Sequence, residues 1–511
     1  MNFALVTAVI LLPELRVLKI GLAVAMVTAL TLWIGGRIIW QRPDTWTLLL
    51  AICGLLAVPL VAVARAFGQV DVLAILGIMA GKPGAISLRG FGDPIFIAVF
   101  AVTVFVLNTI WLRAALQLRP AIFFVGGFFL LLGNPVSTKV IGALAVPPIP
   151  DDLSHRIAFV PDLRLPNTPD IIMIYLEGLE RAFADEAAYD AGYTPLTALK
   201  ATGIDLQAVR EVAGTGWSIA GIVASQCGLP SVPNRYFNSN TAMQGTSYLA
   251  HHRCLTDILA DHGYRNIFVT GGPNDFARQG DFLATHSYHD IIDLPFLETA
   301  YGAHDRAKAF TGWVMDDQMV FDAAITRYDA AIHDAAPFFM AVQTFGPHGI
   351  QALLSRNCTP DGVAVLGTDL AASAACLVEN AMRFHDHVRD QRGDRPTLIV
   401  ILSDHLNHSA DLRAELEIAE RANTVLFLPY DMKRVVASPG SFIDREASMM
   451  DVFPTLLAYL YDAKPDMRAG LGQSLFGTTA TLVERKGVDN LNAALFPNPA
   501  LTAAIWLQVP D

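Results

Sequence analysis

The chain has 511 residues, a mean hydropathy of +0.40 and a formal net charge of −12. Soluble enzymes of this length are less apolar, so the composition predicts a membrane-embedded part beside a globular domain. The negative charge argues against a nucleic-acid partner and against a broad electrostatic attraction to anionic lipid, so any recognition of an anionic headgroup has to be local.

The apolar excess is concentrated before residue 136. Residues 18–40, 46–67 and 94–116 are each long enough to cross a bilayer, and residues 121–133 form a shorter apolar run. Residues 2–12 are compatible with a fifth span, an uncleaved entry helix or an interfacial segment, and they lack the features of a removable signal peptide. We predict a transmembrane domain of four to five helices over residues 1–135.

The arginines between the spans predict the orientation of this domain. Arg37 and Arg42 lie between the first two long spans, and Arg113 and Arg119 between the last two. Loops rich in arginine stay in the cytoplasm, so the C-terminal domain is expected on the other side of the membrane. Residues 70–83 would lie on that outer side, as an amphipathic helix on the membrane surface or as a helix packed on the protein.

Three further segments follow in the chain. Residues 136–168 are rich in proline and predict a juxtamembrane linker. Residues 169–478 alternate short apolar runs with helical patterns, and residues 479–511 read as a small C-terminal appendage without recognisable chemistry. Strands are predicted at 171–176, 266–270, 337–344, 397–402 and 424–428, and helices at 218–225, 255–262, 316–333, 371–389 and 448–461. This alternation is typical of an α/β domain with a mainly parallel sheet covered by helices.

Two of the predicted strands end in side chains that bind metals. Glu177 follows the first strand, while Asp404 and His405 follow the strand at 397–402. In open α/β sheets the carboxyl ends of the strands are the edge where ligands bind. Two carboxylates and one imidazole, together with a nearby hydroxyl, suit a divalent cation such as Mn²⁺, Zn²⁺ or Mg²⁺. Taken singly, each acid is equally compatible with a solvated loop or a helix cap.

A hydroxyl in a suitable position is Ser218, which follows a glycine-flanked turn and opens a helical pattern. A serine there is commonly a plain N-cap. However, the free amides and the positive dipole at a helix N-terminus also stabilise a phosphoryl group, so Ser218 is a candidate phosphate-attacking nucleophile.

The motifs around these residues resemble the phosphoglycerol transferase I family, in the membrane-bound branch of the alkaline phosphatase and sulfatase superfamily that includes lipoteichoic acid synthase. The resemblance rests on residues 174–181 (IYLEGLER), 215–230 (TGWSIAGIVASQCGLP), 355–358 (SRNC) and 403–406 (SDHL). It implies that Glu177, Ser218, Asp404 and His405 bind one metal ion, with Mn²⁺ as the first choice, and that Ser218 is the nucleophile. The membrane-bound relatives usually have threonine at the position of Ser218.

The resemblance also implies residues that contact the substrate. His348 falls on a substrate-contacting histidine of the family and is the candidate for proton transfer, although its flanking residues differ from the family pattern. Arg278 lies about one residue from a phosphate-contacting basic position. Trp217, beside the nucleophile, and His408, three residues after His405, are the remaining substrate-binding candidates, and a solvated turn is the alternative for His408.

By resemblance, the enzyme is expected to move glycerol phosphate from phosphatidylglycerol to a periplasmic glucan, in the bacterial inner membrane with its catalytic domain in the periplasm. Three alternatives stay open: a phosphoethanolamine transferase acting on lipid A or glucan, a phosphodiesterase-type hydrolase, and a lipid-binding protein without catalysis. A sulfatase activity is disfavoured because the Cys/Ser-x-Pro-x-Arg motif of those enzymes is missing around Ser218.

The cysteines test the predicted topology. The chain has five, of which Cys227, Cys254, Cys358 and Cys376 lie in the globular domain. Their order suggests the local pairs Cys227–Cys254 and Cys358–Cys376, which suit an oxidising periplasm. Free buried thiols are the alternative, and a cytoplasmic domain would favour them.

Overall fold

The computed structural model describes residues 153–231, 248–348, 352–367, 369–408, 421–432, 437–461, 464–496 and 498–506. The predicted membrane spans and the amphipathic segment at 70–83 lie outside these residues. Within the described ranges, no helix is both long enough and apolar enough to cross a membrane.

An eight-stranded sheet forms the centre of the domain, with the strand order β11-β2-β10-β9-β1-β6-β4-β5. Its strands are β1 (Asp170–Leu176), β2 (Ile204–Leu206), β4 (Arg265–Thr270), β5 (Asp290–Ile292), β6 (Phe338–Gln343), β9 (Thr397–Ser403), β10 (Val425–Tyr430) and β11 (Phe442–Ile443). Strands β9, β1, β6, β4 and β5 run parallel, whereas β10 is antiparallel to β9 and to β2. The predicted α/β class with a mainly parallel sheet is confirmed.

Six short strands pair outside this sheet, and the pairs are β3 (Val209–Arg210) with β12 (Ala447–Ser448), β7 (Ala352–Leu354) with β8 (Val365–Gly367), and β13 (Arg468–Ala469) with β14 (Gly472–Gln473). The helices are α1 (Glu186–Tyr189), α2 (Thr194–Leu199), α3 (Ser218–Cys227), α4 (Leu255–Asp261), α5 (Gln279–Thr285), α6 (Leu294–Ala300), α7 (Ala303–Ala309), α8 (Asp317–Ala331), α9 (Leu370–Gln391), α10 (Met449–Leu460), α11 (Leu482–Lys486), α12 (Val488–Leu495) and α13 (Pro499–Trp506).

Alternate residues of the central strands enter separate apolar cores on the two faces of the sheet. In β1, Met173 and Tyr175 belong to one core, while Ile172 and Ile174 belong to the other. Both faces of a parallel strand are therefore buried, which explains why β1 and β9 read as continuous apolar runs instead of alternating patterns.

The segment predicted as a linker and the segment predicted as an appendage both pack on the domain. Leu153–Arg156 form a short 3₁₀ helix, and Ala158 exchanges backbone hydrogen bonds with Gly470. At the other end, Leu491, Leu501 and Trp506 are buried in the same core as β1. The described parts of residues 136–168 and 479–511 are thus held by the fold.

Candidate active site

The site begins where β1 ends. Glu177 follows the strand and is 1% exposed. Its backbone N–H donates to Thr344 Oγ1 at 3.0 Å, and the next residue, Gly178, turns the chain with φ +54° and donates to Asp404 Oδ1 at 2.9 Å. A left-handed backbone at this position favours glycine. Strand β1 therefore delivers Glu177 directly against the end of its neighbour β9.

Strand β9 brings the second carboxylate and the imidazole to the same edge. His405 Nε2 lies 3.2 Å from Glu177 Oε1 and 3.5 Å from Asp404 Oδ2. The other ring nitrogen, Nδ1, lies 2.8 Å from Leu406 O. Because Nδ1–H donates to that carbonyl, Nε2 is the ring nitrogen directed at the two carboxylates. It carries a proton in the charged ring, and its lone pair is available to a cation once that proton is lost.

Ser218 completes this group from the start of α3. Trp217 is the last extended residue before the helix, so Ser218 is the first helical residue and its side chain does not serve as the N-cap. Its Oγ donates to Glu177 Oε2 at 3.1 Å. The structure thus brings together Glu177, Ser218, Asp404 and His405, the four residues predicted from the sequence.

The donor set fits a divalent cation. Glu177 Oε1 and Asp404 Oδ2 are buried oxygens that face His405 Nε2 but form no hydrogen bond of normal geometry. The ligand atoms of these two residues and of His405 lie within 4.8 Å of one another. Two carboxylate oxygens, one imidazole nitrogen and one hydroxyl match the ligands of Mn²⁺ and Zn²⁺ in proteins. Glu177, Ser218, Asp404 and His405 would therefore hold the cation.

The raised pKa values of Asp404 and His405 reflect excess negative charge. Burial raises the pKa of Asp404, and the negative charge of Glu177 raises it further. Burial lowers the pKa of His405, but the carboxylates of Asp404 and Glu177 outweigh burial and raise it overall. The single positive charge of a protonated His405 balances only part of the negative charge of two buried carboxylates. A bound cation would supply the missing positive charge.

Two predicted histidines lie beside these groups. The His408 ring stacks on His405 with a centroid distance of 4.6 Å, and its Nε2 lies 2.8 Å from Gly216 O. His348 packs edge-on against Trp313 at 5.7 Å. Burial lowers the pKa of His348, whereas the charge of Glu177 acts to raise it. Both side chains therefore border the metal-binding group, although their contacts with a substrate stay a prediction.

The remaining two candidates differ in their surroundings. The indole Nε1 of Trp217 is buried without a hydrogen-bond partner, directly before Ser218. Arg278 donates to Asp281 Oδ2 at 2.6 Å, and its guanidinium lies over the Tyr248 ring at 5.6 Å. The phosphate-binding role of Arg278 also stays a prediction.

Sequence reasoning missed Glu211. Its Oε2 accepts from Leu406 N–H at 2.9 Å, and its carboxylate lies within 4.8 Å of the ligand atoms of His405 and His408. Glu211 directly follows the two-residue strand β3, so it obeys the same strand-end rule that identified Glu177. The strand is too short to be recognised from its sequence pattern.

A buried polar network behind the site was also missed. Asn407 Nδ2 donates to Pro347 O at 2.6 Å and to Gly178 O at 3.3 Å, so it joins the loops that carry His348 and Glu177. Glu180 accepts from Asn407 N–H at 2.9 Å and forms an ion pair with Arg421. We find no local sequence signal that would have indicated this network.

The structure contains the two disulfides that the order of the cysteines predicts. Cys227 is bonded to Cys254, and Cys358 is bonded to Cys376. The first bond fastens the end of α3, whose first residue is Ser218, to the residue before α4.

The family model described as Sulfatase matches residues 169–463, more than half of the chain. The chain belongs to the sulfatase family. Among curated members, phosphoglycerol transferase I of Xanthomonas campestris pv. campestris is 31% identical over 332 residues, which cover 63% of this chain and 45% of the relative. Phosphoglycerol transferase I of Salmonella choleraesuis is 28% identical over 297 residues, covering 57% and 38%. The resemblance predicted from the motifs is confirmed, and the chain spans less than half the length of these curated relatives.

Two solved structures are also similar to part of the chain. An alkaline phosphatase superfamily protein from Vibrio parahaemolyticus has 19% identity and a TM-score of 0.48, covering 69% of this chain and 79% of that protein. The lipoteichoic acid synthase LtaP from Listeria monocytogenes has 12% identity and a TM-score of 0.46, covering 67% and 80%.

Proposed function

We propose that this protein is a membrane-anchored phosphotransferase that moves glycerol phosphate from phosphatidylglycerol to a periplasmic glucan. The observation that carries the proposal is the position of Ser218 Oγ. It lies 3.1 Å from Glu177 Oε2, beside Asp404 and His405, at the first residue of helix α3. The curated relatives named phosphoglycerol transferase I support the choice of donor.

In the first step, Ser218 Oγ attacks the phosphorus of the phosphatidylglycerol headgroup. The Oγ–P bond forms, the bond from phosphorus to the diacylglycerol oxygen breaks, and diacylglycerol leaves with a proton that replaces the one lost by Ser218. A divalent cation held by Glu177, Ser218, Asp404 and His405 would lower the pKa of the Ser218 hydroxyl and offset the charge of the phosphate oxygens.

The chain itself orients the nucleophile. The hydrogen bond to Glu177 points Ser218 Oγ toward the carboxylate side of the site. The first hydrogen bond inside α3 runs from Gly221 N–H to Trp217 O at 2.9 Å, so the amides that precede Gly221 have no acceptor within the helix. These amides and the helix dipole stabilise the phosphoryl group that Ser218 carries after the first step.

In the second step, a hydroxyl of the glucan attacks the phosphorus, the Oγ–P bond breaks, and Ser218 regains a proton. His348 is the candidate base for the acceptor hydroxyl. It borders the site next to Trp313, and burial favours its neutral form, which can accept a proton.

The location in the bacterial inner membrane, with the catalytic domain in the periplasm, belongs to the same proposal. It is supported by the predicted apolar spans before residue 136 and by the two disulfides of the domain. A membrane anchor keeps the domain near phospholipid headgroups, so the donor does not have to be found from solution.

Mass spectrometry tests the donor and the nucleophile together. The purified protein is incubated with phosphatidylglycerol and Mn²⁺ without an acceptor, and the peptide with Ser218 is examined for a glycerophosphoryl adduct. We expect the adduct in the wild type and in Ser438→Ala, which removes an exposed hydroxyl elsewhere, and none in Ser218→Ala. An adduct that forms only with phosphatidylethanolamine would refute the donor, and no adduct with either lipid would refute the covalent mechanism.

A further inference from the structure

One surface of the domain combines positive charge with exposed apolar groups. It is formed by Arg156, Phe159, Arg468, Arg485 and helix α13, and we call it the Arg156 surface. None of its residues takes part in the proposed chemistry, and the inference drawn from it does not depend on the transfer reaction.

Three arginines come together on this surface. Arg468 Nη2 donates to the backbone oxygen of Arg156 at 2.7 Å. Burial lowers the pKa of Arg485, and the positive charges of Arg156 and Arg468 lower it further, so the three guanidinium groups lie within electrostatic range. The carboxylates of Asp451 and Glu484 act in the opposite direction with smaller effects. The neighbouring acid Glu484 forms its ion pair with Arg445 at 2.6 Å. The cluster therefore presents local positive charge on a chain whose net charge is −12.

An exposed aromatic side chain follows three residues after Arg156 in the chain. Phe159 is 76% exposed, the highest exposure among the large apolar side chains of the described residues. Its position is held by the fold, because the preceding residue, Ala158, forms two backbone hydrogen bonds with Gly470 at 2.7 and 2.9 Å. Phe159 is stacked beside the His252 ring at a centroid distance of 6.4 Å, yet most of its side chain stays exposed on a fixed segment.

The last helix extends the apolar part of the surface. Helix α13 (PALTAAIW) contains no charged residue and packs on the 3₁₀ helix that ends at Arg156. It buries Leu501, Ile505 and Trp506 in the core, while Pro499 and Ala500 are exposed. The exposed first turn of α13 therefore adds small apolar groups and no charge to this surface.

We propose that the Arg156 surface docks on an anionic phospholipid bilayer, with the arginines at the phosphate groups and Phe159 in the interface. Basic and aromatic side chains side by side match the two layers of such a surface, negative headgroups and the apolar region beneath them. The segment between the last predicted span and Leu153 is long enough for the Arg156 surface to reach the bilayer. It has about 20 residues, and an extended chain of that length spans up to about 70 Å. The proposal concerns phospholipid in a membrane, since a free phosphate would leave Phe159 and α13 without a partner.

The test measures the depth of residue 159 in a membrane. The full chain, with Cys53→Ser to remove the fifth cysteine of the sequence, is reconstituted into vesicles that contain phosphatidylglycerol. A spin label is attached at Phe159→Cys or, as a matched control, at Phe442→Cys, which replaces a 66% exposed phenylalanine on β11. We expect the label at 159 to be accessible to oxygen and shielded from a water-soluble nickel chelate, and the label at 442 to show the reverse.

Charge reversal then separates docking from other causes of shielding. Each arginine near an anionic surface contributes about a fivefold preference, so loss of the three positive charges alone reduces the ratio of docked to undocked protein by roughly a hundredfold. Arg156→Glu, Arg468→Glu and Arg485→Glu together should therefore reduce it by at least that factor, because each glutamate also adds a repulsion. Arg389→Glu, on helix α9, should leave it unchanged. High salt should act like the triple variant because it screens the attraction.

Three results would overturn the proposal. The label at 159 could be as accessible to the nickel chelate as the label at 442. Its shielding could be the same in vesicles of phosphatidylcholine alone, which would exclude anionic recognition. Shielding together with dipolar broadening between two labels at 159 would instead assign the surface to a second copy of the chain.

Discussion

The close contact between helix α3 and the loop after β9 yields the most demanding prediction. A Cβ atom on Gly221 would lie 1.8 Å from Asp404 O and 2.7 Å from Asp404 C. Glycine inside a helix costs about 1 kcal/mol relative to alanine, so the helix by itself would favour alanine. Gly221 therefore serves the approach of α3 to the loop that carries Asp404 and His405.

The substitution Gly221→Ala should displace the nucleophile. Ordinary contact begins at 3.4 Å, so the new Cβ has to move from 1.8 Å to at least 3.4 Å from Asp404 O, a shift of about 1.6 Å. Ser218 lies one turn earlier on the same helix and moves with it. A misplacement of about 1 Å can cost about a hundredfold in rate, so we expect the rate of adduct formation to fall at least that much. The overpacking should cost about 2 kcal/mol of stability, which a domain of this size tolerates.

The assay compares the rate of Ser218 modification by phosphatidylglycerol with the melting temperature of the same preparation. Gly302→Ala is the control, because a Cβ there meets only Asp305 Oδ2 at 4.0 Å. It should leave both quantities close to those of the wild type. The reasoning is refuted if Gly221→Ala forms the adduct within threefold of the wild-type rate and melts at the same temperature.

Three further predictions concern the cation, the polar network and pH. Mn²⁺ at a concentration of a hundred times its dissociation constant should stabilise the wild type by about 2.7 kcal/mol. The variant Glu177→Gln should show no such stabilisation. Equal melting temperatures of the wild type with and without Mn²⁺ would exclude a bound cation. Asn407→Ala removes the side chain that donates to Pro347 O at 2.6 Å and should lower kcat/KM about tenfold. The control Asn490→Ala changes an exposed side chain and should leave kcat/KM unaltered. Unchanged kinetics in Asn407→Ala would contradict the positioning role. Burial raises the pKa of Asp451 to about 6. Because the folded pKa is raised, the protonated carboxyl contributes stability that is present below pH 4 and lost as the pH rises through 6, about 3 kcal/mol in all. Chemical denaturation between pH 4 and 7 should show a slope that Asp451→Asn reduces, and identical slopes would contradict the assignment.

Much of the fold could be predicted from local pattern. The central strands β1, β4, β6, β9 and β10 and the helices that begin at Ser218 and Leu255 lie where the apolar periodicity places them. These strands are buried on both faces, so each carries a strong signal within a few residues. The short strands β2, β5 and β11 were missed, because two or three residues do not establish a period.

Some residues of the candidate site could likewise be predicted from the sequence, and others could not. Glu177, Ser218 and the pair Asp404 and His405 could be found from sequence, because each stands directly at the end of a strand or at the start of a helix. The rule that ligands gather at the carboxyl edge of a parallel sheet then brings them together without knowledge of their distances. The resemblance to a known family pointed to the same residues.

Only the tertiary structure decided what lies between these elements. Glu211 lies close to His405 although 194 positions separate them in the sequence, and it accepts a hydrogen bond from Leu406 N–H, 195 positions away. Asn407 joins two loops that are distant in the chain. The close approach of Gly221 to the backbone of Asp404 likewise depends on how α3 packs against the loop after β9. Periodicity describes which face of an element is buried, but it carries no information about which distant backbone meets that face. The sequence by itself therefore determined the chemistry that is available, whereas packing determined where each group is held.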